Sequence, residues 1–351
     1  MSLPLLNRAA EPDGWHDVRS PGGYEWWYFD AESDDGDTQV VAIFLQGFIF
    51  HPGYLRAHGR FTRRPTKVPP ALPSDALCAY LIVYRGGKIW RQFLTQYPPD
   101  ALTATPDGPA VAIGPNTLTP NDAGLDLHLA GTPWHLTARG PQLQTDDTLV
   151  ADLAFDRVHP HRPMSRVFLS QAMTGAEHHW VLADPRCNVT GTIACGDETI
   201  TFVGRGYHDH NYGTAPIGPG LKHWVWGRSL DAGGVTTFHY AVPRDKTLPN
   251  ELHVVRADDA GVRELEPRCR IDWSKKNLTR LRYPAEIELQ DLLHLRNPRL
   301  VDDAPFYMRA VYENALGGHG FCEIAYPHRL RWPVLGRMIE MSIDKRPLKQ
   351  R

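Results

Sequence analysis

YEWWYFDAESDDGDTQVVAIF, residues 24–44, reads as two β-strands joined by an acidic turn. Alternate residues of a strand share a face, so Glu25, Trp27 and Phe29 point one way and Tyr24, Trp26, Tyr28 and Asp30 the other. Large aromatics on both faces suit a strand between a core and a ligand cavity, or a strand packed on both sides. Ser33-Asp34-Asp35-Gly36 supplies the turn, and a β-branched run follows it. A second stretch, KHWVWGRSLDAGGVTTFHY, residues 222–240, has the same plan. Trp27 aligns with Trp226, 199 positions later. Internal repeats fix architecture, so each copy is expected to open its own β-barrel, with the boundary near residues 214–219. This assigns residues 1–215 to an N-terminal β domain and 216–351 to a C-terminal one.

The rest of the chain keeps that punctuation. LCAYLIVYRGGKIWRQFL (77–94) is a hairpin on Gly86-Gly87. GLDLHLAGTPWHLTARG (124–140) and TGTIACGDETITFVGRGY (190–207) alternate apolar and polar residues around glycine turns. Long amphipathic helical patterns are scarce. Many short strands with regular turns predict an all-β protein, two antiparallel barrels or sandwiches in tandem.

Composition excludes several classes. The chain has 351 residues, 42% of them apolar, enough for a sizeable core. Its formal net charge is −2, so no positive excess exists to displace counterions from nucleic acid. Cys78, Cys187, Cys195, Cys269 and Cys322 are odd in number and form no CxxC, so a reducing, cytoplasmic setting is expected rather than a disulfide framework or a zinc site. Residues 1–14 lack a basic region followed by a long apolar one, so no signal peptide is expected. No apolar run reaches the roughly 18 residues of a membrane-spanning helix. Arg337, Lys345, Arg346, Lys349 and Arg351 offer a weak peripheral attraction to anionic lipid; the alternative is a solvated tail.

Chemistry concentrates in GRGYHDHNYG, residues 204–213. As a strand it splits into a Tyr207, Asp209, Asn211 face and a His208, His210, Tyr212 face. On a metal reading His208 and His210 supply two imidazoles and need a third ligand, for which His239 or His319 is available. On an acid reading, an apolar pocket over the other face raises the Asp209 pKa and keeps its proton on, with Tyr207 and Asn211 orienting it. On a structural reading Asp209 holds a tight turn while Tyr207 packs. AEHHWVL (176–182) likewise places His178 and Trp180 on one face, where a tryptophan ring can stabilise a cation, or simply fill a core. No GxSxG elbow, HExxH or Walker loop is present, and Gly204-x-Gly206 lacks a dinucleotide-binding context.

Taken in order, GGYEWWYFDAESDDG (22–36), LCAYLIVYRG (77–86), AIGPNTLTPNDAGLDLHL (112–129), HHW (178–180), GYHDHNYG (206–213), HWVWGRSLDAGG (223–234) and PFYMRAVYE (305–313) resemble the carotenoid 1,2-hydratase (hydroxyneurosporene synthase) and AttH-like family. That family is built from two lipocalin-like β-barrels, and the resemblance implies hydration of an isoprenoid double bond without a cofactor. It implies that a His-x-Trp and a Tyr-x-Asp form the site, which fall on His178 with Trp180 and on Tyr207 with Asp209. Trp27, Tyr28, Asn211, Trp224, Trp226 and Tyr307 are then the expected substrate-binding residues. The expected partners are a lipophilic polyene and water. His208, His210 and Glu25 look more like the AttH-like branch, and PFYMRAVYE more like the hydratases. An isoprenoid cyclase and a lipophile carrier are the alternatives on the same scaffold.

Overall fold

The computed structural model describes residues 12–168, 177–218 and 220–345. Its first sheet is built from Tyr24–Ser33 (β1), Thr38–Gln46 (β2), Leu77–Arg85 (β3), Lys88–Tyr97 (β4), Leu102–Ala104 (β5), Val111–Ile113 (β6), Asn116–Pro120 (β7), Gly124–Gly131 (β8), Leu149–Arg157 (β11), Met164–Val167 (β12), His178–Cys195 (β13) and Glu198–Gly213 (β14). Between β8 and β11, Trp134–Thr137 (β9) and Gly140–Leu143 (β10) form a separate two-stranded hairpin. The second sheet comprises Leu221–Asp231 (β15), Gly234–Pro243 (β16), Glu251–Asp258 (β17), Gly261–Leu265 (β18), Cys269–Trp273 (β19), Pro284–Leu289 (β20), Leu293–Asp303 (β21), Tyr307–Asn314 (β22) and His319–Ala325 (β23). Among the described residues the α-helices are short: Pro52–Arg63 (α1) and Pro333–Ser342 (α2).

The two sheets repeat one strand order. In each, the opening strand pairs with the next strand on one side and with the closing strand on the other: β1 lies between β2 and β14, β15 between β16 and β23. Three strands then lead outward from the opening strand, and the remainder return to the closing one. The chain is thus nearly all β, as its turn punctuation predicts. Gly86 and Gly87 both have positive φ, +57° and +72°, which is what a two-residue turn matched to the strand twist requires.

Trp27, Phe29 and Ala31 of β1 point into the core enclosed by the first sheet, with Phe44, Leu81 and Phe155. Tyr24 and Tyr28 point the other way, into a second apolar layer that the sheets share. From the first sheet this layer receives Trp180 and Tyr207, and from the second Trp226, Val255 and Phe321. Both expectations for the doubly aromatic strand therefore hold, because each face meets a different core. The repeat needs one adjustment. Aligning Trp27 with Trp226 pairs residues on opposite faces, since a slip of one residue inverts every side chain. The structure matches Tyr28 with Trp226 and Asp30 with Arg228.

Asp30 and Arg228 join the sheets as an ion pair, at 1% and 0% exposure. A buried charge that loses its partner stays desolvated and uncompensated. Asp30→Ala is expected to cost about 3–5 kcal/mol of stability, read as a lowered denaturant midpoint at unchanged slope.

The chain beyond the second sheet does not stay with it. α2 runs back over the first sheet, where Ile339 and Ile343 pack with Leu45, Cys78 and Leu94. Asp344 exchanges backbone hydrogen bonds with Leu94 and Gln96, at 2.8 Å each. The apolar side chains of α2 that make this contact lie far in sequence from the strands they meet, so chain order does not reveal it. Arg346, Lys349 and Arg351 of the basic tail lie outside the described residues.

Candidate active site

Strand alternation fixes the site locally. β14 pairs with β13 so that Trp180 faces Asn211 and Leu182 faces Asp209. The diagonal across this pair brings Trp180 onto the aspartate. Trp180 Nε1 and the Tyr207 hydroxyl each donate to Asp209 Oδ2 at 2.8 Å, and Asn211 Nδ2 donates to Oδ1 at 2.7 Å. All four side chains are buried. Burial pushes the Asp209 carboxyl up to about 7, against the lowering effect of its donors and of His208.

Asp209 opens onto an apolar cavity of about 390 Å³ between the sheets. Trp26 and Tyr28 line it from the first sheet, Trp224, Trp226 and Tyr307 from the second. The β9–β10 hairpin and α2 roof it with Leu136, Leu335 and Ile339. His178 and Trp180 stand beside Asp209 and Asn211 in the wall. His178 Nδ1 lies 2.8 Å from the Tyr24 hydroxyl, and burial lowers its pKa to about 3, so the ring is neutral.

Two of the expected residues do not line the cavity. Trp27 is fully buried on the opposite face of β1, stacked on His210 with ring centroids 4.6 Å apart. Odd positions of that strand belong to the first-sheet core. Tyr207 sits behind Asp209, packed against Trp226 at 5.2 Å, and reaches the site only through its hydroxyl.

Three further groups reach the cavity from the second sheet. His239 lines it 5.6 Å from Trp180 and 6.3 Å from His178, ring centroid to centroid, and its Nδ1 is buried without a hydrogen-bond partner. Burial and the neighbouring imidazoles hold its pKa well below the ordinary value. Asp302 is raised to about 7 by burial, next to the Tyr84 hydroxyl. Glu323 accepts from the Tyr28 hydroxyl at 2.9 Å and pairs with Arg309. Sequence offered His239 only as a spare metal ligand and gave no signal for the acids, whose partners come from distant strands.

The paired histidines serve the other face. His208 bonds Asp13 at 3.1 Å and the Tyr28 carbonyl at 3.0 Å. Burial lowers its pKa, but Asp13 outweighs that and the net shift is upward. His210 bonds Glu25 Oε1 at 3.0 Å, and His16 bonds the same oxygen through its ring at 3.1 Å and its backbone N–H at 2.7 Å. Burial would raise the Glu25 pKa, yet those hydrogen bonds bring it below the ordinary value. The ring nitrogens and carboxylate of this trio lie within 4.8 Å of one another, so the donors of a cation site are present. The hydrogen bonds already explain their convergence: they lock β1 to β14 behind the cavity wall.

The carotenoid hydratase CrtC family model matches residues 41–351. The chain belongs to that family. Among CrtC relatives, a hydroxyneurosporene dehydrogenase of Chlorobaculum tepidum is 30% identical over 227 residues, 62% of this chain and 56% of that protein. An acyclic carotenoid 1,2-hydratase of Thiocapsa roseopersicina is 28% identical over 306 residues, 85% of this chain and 66% of that protein. The chain thus spans between about half and two thirds of the length of these relatives. The crystal structure of an AttH protein of Nitrosomonas europaea superimposes with a TM-score of 0.54 at 15% identity, over 93% of this chain and all of that one. That likeness is one of fold.

Proposed function

We propose that the chain hydrates a terminal double bond of an acyclic carotenoid or related isoprenoid by acid catalysis. One observation carries the reading: a carboxyl group that holds its proton near neutral pH faces a cavity lined by aromatic and aliphatic side chains. Membership of the carotenoid hydratase family supports it. The chemistry consumes one water, returns the proton it borrows and transfers no electrons, so it calls for no redox cofactor.

Asp209 Oδ2 accepts two hydrogen bonds and Oδ1 accepts one, which leaves Oδ1 to carry the proton. That proton goes to the terminal alkene CH. The C=C electron pair forms the new C–H bond, and positive charge falls on the neighbouring methyl-bearing carbon, where a tertiary cation is most stable. Trp180, held edge-on to Asp209 by its N–H, offers its π face to that charge. His178 and His239 approach from opposite sheets, at a separation one water molecule can bridge. With Tyr24 donating to Nδ1, His178 presents Nε2–H to the water oxygen. The water adds to the cation, and its surplus proton returns to the Asp209 carboxylate, giving a tertiary alcohol and the starting enzyme. Cavity walls supply binding by covering hydrocarbon, at about 25 cal/mol per Å² of apolar surface. Trp26, Tyr28, Trp224, Trp226, Tyr307 and Asn211 are the substrate-binding residues of this reading. The shared strand order of the two sheets supports a division into two domains near residue 215, with α2 crossing back.

Incubation with lycopene, neurosporene or a squalene-like hydrocarbon tests the reaction by product mass. The expected product is heavier than the substrate by one water. A product of unchanged mass indicates cyclisation, and bound hydrocarbon with no product indicates a carrier; either result overturns the proposal.

A further inference from the structure

The roof of the cavity has an outer surface that the reaction does not use. Its inner side is apolar by necessity, since Leu136, Pro141, Leu335, Met338 and Ile339 line the cavity. Its outer side is apolar as well. Ten large apolar side chains are exposed among the described residues, and four of them stand here: Leu136 at 63%, Trp332 at 48%, Val334 at 70% and Met341 at 47%. Val334, Arg337 and Met341 are spaced i, i+3, i+7, so they share the exposed face of α2. Met341 reaches the β9–β10 hairpin, where a Cβ placed on Gly140 would lie 3.1 Å from its Cε. Met341 therefore joins the hairpin to the helix on this side of the roof. Exposed apolar residues scattered singly need no explanation, but a contiguous patch rimmed by charge marks an interaction surface.

Arginines stand around the patch. Arg139 forms the turn of the hairpin and Arg337 stands between Val334 and Met341. The Arg329 guanidinium lies over the Trp332 ring at 4.2 Å. Glu340, the only acid of α2, is bonded to Arg56 at 2.7 Å. Aliphatic and tryptophan side chains interleaved with arginine are the composition of an interfacial helix, with the apolar face in the acyl boundary and the cations at the phosphates. No described helix is long and apolar enough to cross a membrane.

We propose that the outer face of α2 and the β9–β10 hairpin dock on an anionic lipid bilayer, placing the cavity roof against the membrane. A hydrocarbon dissolved in the bilayer would then pass between hairpin and helix into the cavity without crossing water. The proposal rests on the roof and not on the identity of the reaction.

Flotation of the full chain with vesicles is the test, using phosphatidylcholine alone and phosphatidylcholine mixed with phosphatidylglycerol. The chain is expected to float with the anionic vesicles and to release as salt screens the arginines. The Val334→Asp/Met341→Asp double variant is expected to lose binding at least about tenfold. Arg139→Gln/Arg337→Gln is expected to weaken binding to the anionic vesicles only. Leu316→Asp, exposed elsewhere at 61%, is expected to bind like the unmodified chain. All three variants are checked for an unchanged thermal transition. Failure of the unmodified chain to float, or equal flotation of Val334→Asp/Met341→Asp, overturns the proposal. A concentration-dependent dimer abolished by that double variant, with no vesicle binding, assigns the patch to a second copy and overturns it too. Flotation needs no turnover, so a failed hydration assay leaves this result readable.

Discussion

Asp209→Asn is expected to lower the hydration rate by about 10²- to 10⁴-fold, the range that a positioned general acid contributes. The change is close to isosteric, and it substitutes a neutral amide for a carboxyl that is itself neutral below about pH 7. Trp180 and Tyr207 keep an oxygen to donate to. Asn211 keeps its bond by turning its amide so that its oxygen accepts from the new NH₂. Stability should therefore change little, and a matched thermal transition distinguishes lost chemistry from lost fold. The assay is product formation from an acyclic carotene, read by mass. A near-normal rate in Asp209→Asn would falsify the donor role.

The pH profile carries the second large effect. Only the protonated carboxyl can donate, so the rate should be flat below about pH 7 and fall about tenfold per unit above it, about a hundredfold by pH 9. Asp302 is also raised to about 7 and faces the same cavity, so the alkaline limb needs an owner. It should survive in Asp302→Asn if Asp209 is the acid, and loss of the limb in that variant would move the role to Asp302. His178 titrates near 3 and contributes nothing in this range. The same shift has a stability consequence. The folded pKa of Asp209 exceeds its ordinary value of 3.8, so the folded state binds the proton more tightly. Its contribution is fully present below about pH 4 and is lost as pH rises through 7, at about 1.4 kcal/mol per unit inside that window. Asp209→Asn should flatten that slope in urea titrations across pH.

The fold was largely legible because its signals are local. The Gly86-Gly87 turn and the apolar alternation around it specify a hairpin whatever the rest of the chain does. The doubly aromatic strand at residues 24–30 announced two packed faces, and the structure supplies two cores. The repeat was legible as a pattern but not in register. A tryptophan signals a large apolar surface without saying which side of the sheet it stands on, so Trp27 and Trp226 invited pairing though they point opposite ways. α2 shows the same limit from another side. Its amphipathic turns are short, and its packing on Leu45, Cys78 and Leu94 of the first sheet is a long-range contact that no local pattern announces.

At the site, sequence alone separated Tyr207, Asp209 and Asn211 from His208 and His210, because alternation along a strand is covalent geometry. It could not say which face meets an apolar medium. That was decided by Trp180, by Trp226 and by the α2 roof, which arrive from other strands and the far end of the chain and exclude water above Asp209, while the equally buried histidine face meets charged partners. The Asp209 pKa follows from that exclusion, since burial raises a carboxyl when the opposing donors are too few to hold its charge. On the other face, Asp13, His16 and Glu25 close around the histidines and turn a conspicuous motif into a brace. Local geometry assigned the faces; the medium each one meets is a property of long-range packing, and the chemistry depends on the medium.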